Sequence, residues 1–170
     1  MRFVVACTGP SMSAELMDQV RGYSVIVVNG AFRLAPWALA LAANDSAWWQ
    51  ANPDAMQFAG EKVSFNSIPG VMRLVANGMT PSTNSGVLGL QVASHFGATS
   101  IVMIGADFHG DHFFGKYEGR LKNATPERRK LHARQFEAWA AVSRIPVWNA
   151  TPGSALRVFP VVTLAEALAA

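Results

Sequence analysis

Small polar residues recur where apolar runs end: Thr8-Gly9-Pro10-Ser11, Asn29-Gly30, Asn44-Asp45, Asn84-Ser85-Gly86 and Gly105-Ala106-Asp107. Turns of this kind expose backbone N–H groups, and a turn that opens a helix adds a positive dipole end suited to phosphate. Asn and Ser side chains hydrogen-bond a ribose or a base without bringing charge. One such turn is an ordinary cap. Five on the same edge of one sheet describe a ligand-binding rim. Thr8, Gly9, Pro10, Ser11, Asn29, Asn44, Asp45, Asn84, Ser85 and Gly86 are therefore the candidate nucleotide-binding set.

Proton transfer calls for a titratable group near that rim. His132 sits in a basic stretch beside Arg128 and Arg129, where it can act as a general base or hold a phosphate; a solvated surface histidine is the equal alternative. His109 and Asp107 are the other catalytic candidates, and His95 reads as structural. Asp107-x-His109-x-x-His112 has no evident fourth ligand, so no metal site is assigned. Lys116, Arg120, Lys122, Arg128, Arg129, Lys130 and Arg134 make up half of the 14 basic residues. They read either as a solvated face or as an anion-attracting lip over a phosphate-bearing substrate. Within that lip Lys116, Tyr117, Arg128 and Arg129 are the candidate phosphate and lid contacts. Trp48, Trp49, Phe113, Phe114 and Tyr117 can stack on a base or close a lid, although core packing explains the tryptophans equally well.

The common signatures are missing. There is no G-x-x-x-x-G-K-[ST] loop, no G-x-G-x-x-G after the first strand, no G-x-S-x-G elbow, no H-E-x-x-H and no paired C-x-x-C. Nor is there a helix-turn-helix, zinc-finger or RNA-recognition signature, which argues against nucleic acid as the partner. Cys7, the only cysteine, reads as a small buried hydrophobe at a strand end and fits a reduced, cytoplasmic setting.

These residues need a scaffold. The 170 residues are 51% hydrophobic and 15% charged, which suits one domain, residues 1–170, with a full core. The apolar N-terminus is too short for a signal sequence, and no run approaches the ~18 residues of a membrane span. Strands are expected at Phe3 to Cys7, Ser24 to Val28, Trp37 to Ala43, Lys62 to Phe65, Ile101 to Ile104 and Pro146 to Trp148. Between them, Ser11 or Ser13 caps a helix with Leu16 and Val20 on one face, and Ser46 opens a short helix that breaks near Pro53. Ser67 to Pro81 reads as loop with one extended segment. Ser82 or Asn84 caps a helix to about Phe96 that Gly97 closes, and Thr125 and Pro126 open one to about Ser143 with Leu131, Phe136 and Trp139 inward. A last helix covers Leu164 to Ala169, and residues 108–125 form a lid-like loop. Strands alternating with helices predict an α/β, single-domain, three-layer Rossmann-like sandwich with a mainly parallel sheet. A homo-oligomer is compatible with the composition, with the aromatics near Trp48-Trp49 as a surface for it.

The ordered set of turns resembles the Campylobacter-type bacterial sialyltransferases and the related hydroxymethylpterin-diphosphokinase-like proteins, a superfamily with phage-encoded members. The family's Gly-Asn-Gly-Pro-Ser-Leu turn is matched by Cys7-Thr8-Gly9-Pro10-Ser11-Met12, and its strand ending in Asn by Val27-Val28-Asn29. Its Asn-x-Ser before an aromatic pair is matched by Asn44-Asp45-Ser46-Ala47-Trp48-Trp49. Its Thr-Ser-Gly-Val helix start and Gly-x-Asp-Phe strand end are matched by Asn84-Ser85-Gly86-Val87 and Gly105-Ala106-Asp107-Phe108. Pro152-Gly153-Ser154-Ala155-Leu156 matches a late Pro-Asn-Ser-Leu turn. The resemblance implies that Thr8, Gly9, Ser11, Asn29, Asn44 and Ser85 line a nucleotide pocket. It also implies phosphate contacts from His109 and from Phe113, Phe114 or Tyr117. Thr8 stands where the family has Asn, Glu127 stands where its basic histidine lies, and the lid is shorter.

Three readings follow. The first is a glycosyltransferase using a nucleotide-activated, CMP-sugar-like donor, with His132 or His109 as base. The second is a diphosphokinase-like phosphoryl transferase in which Asp45 and Asp107 hold Mg²⁺ against ATP. The third is a non-enzymatic nucleotide-binding accessory protein of phage origin. A small-molecule nucleotide is the partner in each.

Overall fold

The computed structural model describes residues 1–75 and 82–170. Four strands and their crossover helices build its centre: β1 (Arg2–Ala6), α1 (Ala14–Gln19), β2 (Ser24–Val28), β3 (Ala40–Ala42), α2 (Ser46–Ala51) and β4 (Glu61–Ser64). β5 (Met72–Arg73), α3 (Ser85–His95), β6 (Ser100–Ile104), α4 (Pro126–Val142), β7 (Val147–Asn149) and α5 (Leu164–Ala169) complete it. The strands form one seven-stranded sheet of order β5-β4-β3-β2-β1-β6-β7. Every ladder in it is parallel, so the expected α/β three-layer sandwich is observed.

The strand sequences explain this. RFVVA, SVIVV and SIVMI are continuous apolar runs, as strands buried on both faces must be. Alternate residues feed opposite cores. Phe3, Val5, Ile26, Val28, Ile101 and Met103 meet α3 and the Phe136 and Trp139 side of α4. Val4, Ala6, Val25, Val27, Val102 and Ile104 meet Met17 of α1, Trp48 and Trp49 of α2 and Ala167 of α5.

Helix starts follow their caps: Ser13 accepts from Leu16, Asn84 from Gly86 and Val87, and Thr125 from Arg128. Pro126 takes the first turn of α4, where its missing N–H costs nothing. Gly97, at φ 82°, follows the end of α3.

The differences are local. The third strand spans only Ala40–Ala42, because a 3₁₀ turn at Asn29–Arg33 and the turns after it occupy the chain up to there. Leu131 is 50% exposed, since only Phe136 and Trp139 of α4 reach the core. Trp48 and Trp49 are 2% and 4% exposed, which removes them as an interface surface. Met72–Arg73 is the extended segment of the 67–81 loop; residues 76–81 lie outside the described residues. No helix among the described residues is long and apolar enough to cross a membrane.

Candidate functional site

The chain leaves β1 toward β2 on one side and later returns to place β6 on the other. Two neighbouring strands whose connections depart in opposite directions open a crevice at their carboxyl ends, where ligands of open α/β sheets bind. A cavity of about 210 Å³ lies there, lined by the ends of β1, β2 and β6, the start of α3, the 108–125 loop and one side of α4.

Backbone contacts tie its floor together. The amides of Cys7 and Gly9 donate to the carbonyls of Ile104 and Gly105, at 2.9 and 2.8 Å. Side chains must stay clear of this seam. A Cβ on Gly9 would lie 2.0 Å from an Asp107 carboxylate oxygen, and one on Gly105 would lie 2.1 Å from Met12. Asp107 is 3% exposed and accepts from the Ser11 hydroxyl at 2.8 Å and, more weakly, from the Ser11 amide at 3.4 Å. The turn after β7 braces the same strand end: Ser154 Oγ donates to the Ala106 carbonyl, and Thr151 Oγ1 accepts from the Ala106 amide at 3.0 Å. Asp107 thus joins the first loop to the last strand ends.

The 108–125 loop folds over the opening. Phe108, at φ 62°, turns the chain there in the left-handed region that side chains seldom adopt. Phe113 N–H donates to the Thr8 carbonyl at 3.0 Å, and Thr8 Oγ1 lies 2.8 Å from His112 Nδ1. The His112 ring stacks on Phe114, centroids 5.0 Å apart, and tilts against Tyr117 at 4.6 Å. Asn123 clamps the Tyr117 backbone, accepting from its N–H at 2.7 Å and donating to its carbonyl at 2.9 Å. Arg129, from α4, donates to the Gly110 carbonyl.

The charges divide by wall. Lys122, Arg128 and Arg129 stand on the loop and α4 side, with Asp45, Asp107 and Asp111 as the acids of the lining. Among the described residues the ion pairs are Arg21–Asp18 and Arg33–Asp54, so none of the lining cations is neutralised by a carboxylate contact. Burial pushes His132 below the ordinary histidine value, and Arg128 beside it pushes the same way. Burial lowers His112 as well, opposed by its contact with Thr8 and by Asp111. Both imidazoles are therefore neutral near pH 7 and able to accept a proton. Burial, with Asp107 adding to it, raises the Cys7 thiol to about 12, and burial raises the Tyr117 phenol to about 12.

The cavity brings together Thr8, Gly9, Asn29, Asp45, Asn84, Ser85, Gly86, Asp107, His109, Tyr117, Arg128, Arg129 and His132 of the expected set. Pro10, Ser11, Asn44 and Lys116 fall outside its lining. Ser11 is turned to Asp107 instead. Asn44 is used up by the fold: Nδ2 donates to the Ser82 carbonyl at 2.8 Å and Oδ1 accepts from Phe65 N–H at 3.3 Å. Asp45 caps α2 by accepting from Ala47 at 2.8 Å. Among the described residues no three His, Cys, Asp or Glu side chains converge as metal ligands. His112, Asn123, Lys122 and Trp48 join the lining without having been assigned a ligand role there. The one sequence signal for them was their density in an aperiodic loop and beside a helix start. Comparison of the chain with family models, curated proteins and solved structures finds no match.

Proposed function

We propose that the chain is a nucleotide-binding transferase of the glycosyltransferase type, taking a CMP-sugar-like donor in the crevice between β1 and β6. The observation that carries this reading is the convergence, at the sheet's switch point, of the α3 N-terminus with Lys122, Arg128 and Arg129. A phosphate set there meets a helix dipole and three cations, the arrangement that favours a departing anion. The likeness of the turns to the sialyltransferase pattern supports the same donor class. At about 210 Å³ the cavity is smaller than the roughly 300–1,000 Å³ of drug-sized pockets, so the sugar of such a donor extends through the mouth.

His132 is the base this arrangement favours. It is half-buried on α4 beside Arg128, and its neutral imidazole can take the proton of an acceptor hydroxyl. The acceptor oxygen then attacks the anomeric carbon as the C–O bond to phosphate breaks, and the bond pair leaves on the phosphate. Asp107, committed to Ser11, holds the loops in place and does not serve as base.

Thermal shift and calorimetry with CMP, CDP, UDP, GDP and ATP, each with and without Mg²⁺, test this. Saturation at a hundredfold over Kd adds about 2.7 kcal/mol, or roughly 5–10 °C in a chain of this size. CMP is expected to give that shift without Mg²⁺. A shift confined to ATP with Mg²⁺ would instead establish the phosphoryl-transfer reading, and binding without turnover would establish the accessory one.

A further inference from the structure

Buried polar atoms are normally paired, and each exception calls for a reason. Asn29 Oδ1, Trp48 Nε1 and the Tyr117 hydroxyl are buried without a hydrogen-bond partner, and all three residues line the same cavity. Trp48 is 2% exposed, so water does not serve its N–H. The three come from distant parts of the chain: the exit of β2, the body of α2 and the lid loop. Asn29 holds φ 46°, a left-handed conformation that persists only where its surroundings enforce it. The Tyr117 oxygen approaches Trp48 and Asn29 closely enough for both to favour its ionised form against burial, yet it reaches neither with hydrogen-bond geometry.

We propose that Asn29, Trp48 and Tyr117 form a socket that reads the edge of a nucleobase. This rests on the nucleotide reading above and assigns the base end of that ligand. The chemistry is specific. Asn29 Oδ1 accepts only, Trp48 Nε1–H donates only, and the phenol does either. The complementary group carries a fixed donor beside a fixed acceptor, as the amino group and ring nitrogen of cytosine do. Two aromatic rings flank the site, which suits a planar heterocycle. A ribose hydroxyl, free to rotate, would need no such fixed pair.

The test uses the whole chain and CMP, AMP and ribose 5-phosphate as probes. Tyr117→Phe removes one oxygen and keeps the ring. Asn29→Gly removes the carboxamide and tolerates the backbone. Because the hydroxyl has no partner in the protein, Tyr117→Phe is expected to leave the ligand-free Tm unchanged or higher. It is expected to weaken CMP about three- to tenfold, and Asn29→Gly likewise. Trp48→Phe, which also loses volume, is read only by the ratio of CMP to ribose 5-phosphate affinity, and that ratio should fall. A Tyr117→Phe protein several degrees less stable without ligand would show the phenol bonded within the protein and overturn the socket. So would ribose 5-phosphate binding as tightly as CMP, or CMP binding unchanged in Tyr117→Phe and Asn29→Gly. Wild-type protein that binds no nucleotide at all would instead fail the nucleotide reading itself.

Discussion

Ser11→Ala isolates the role of Asp107. The carboxylate is 3% exposed and draws its hydrogen bonds from Ser11, at 2.8 Å from the hydroxyl and 3.4 Å from the amide. A hydrogen bond to a charged group contributes about 1.5–3 kcal/mol. Ser11 is itself exposed, so a water can enter where the hydroxyl was, and the loss should settle at about 1–2 kcal/mol. For a chain of this length that is roughly 2–8 °C in Tm. Asp107→Asn keeps an acceptor and removes the charge that most needs a partner. The double variant should therefore be more stable than the sum of the singles requires, with a coupling near 1 kcal/mol. Urea denaturation of the four proteins, with m-values compared, measures the cycle. A Ser11→Ala loss under about 0.5 kcal/mol, or strict additivity, would refute the reasoning. Asp107 would then be a free acid, available for catalysis or a metal.

His112 and His132 both sit below their unfolded value of 6.5 because burial disfavours the charged ring. Their stabilising effect is present above pH 6.5 and is lost as pH falls through the lower folded values, since the unfolded chain then binds more protons. Tm should drop between pH 7.5 and 5.5, above the range where the carboxylates titrate, and a His112→Gln/His132→Gln variant should flatten that slope. Cys7 retains some exposure toward the cavity, but its thiol is raised to about 12 and stays protonated at pH 8. A thiol reagent should label it only on the timescale of unfolding. Stoichiometric labelling of the native protein within seconds would contradict that.

What could be read from residues alone was whatever local chemistry decides. β-Branched runs gave β2 and β6, and Asn84, Thr125 and Pro126 marked helix starts, because a cap acts within three residues of itself. The rim of strand-end turns was legible for the same reason. Leu131 was misplaced because helical spacing shows which residues share a face but not how wide a stripe the core needs. Asn44 has the residue type of a ligand contact, and only the fold shows that Ser82 and Phe65 consume it. The partners of Asp107 and His112 lie 96 and 104 residues away, beyond any spacing argument. The convergence of Asn29, Trp48 and Tyr117 was hidden likewise, since a missing partner exists only in three dimensions.

The order of the strands sets when the crevice can exist. β1 pairs with β2 early, but its other edge waits for β6, with Arg2 opposite Ser100 at a separation of 98 residues. A chain emerging from the ribosome can assemble β1 to β5 and still present the open, wholly apolar edge of β1 to its surroundings. Long-range parallel pairing of this kind is slow, and it leaves such edges exposed to aggregation meanwhile. Ligand binding therefore reports completed synthesis: a nascent chain halted before residue 100 would hold half a sheet and no pocket.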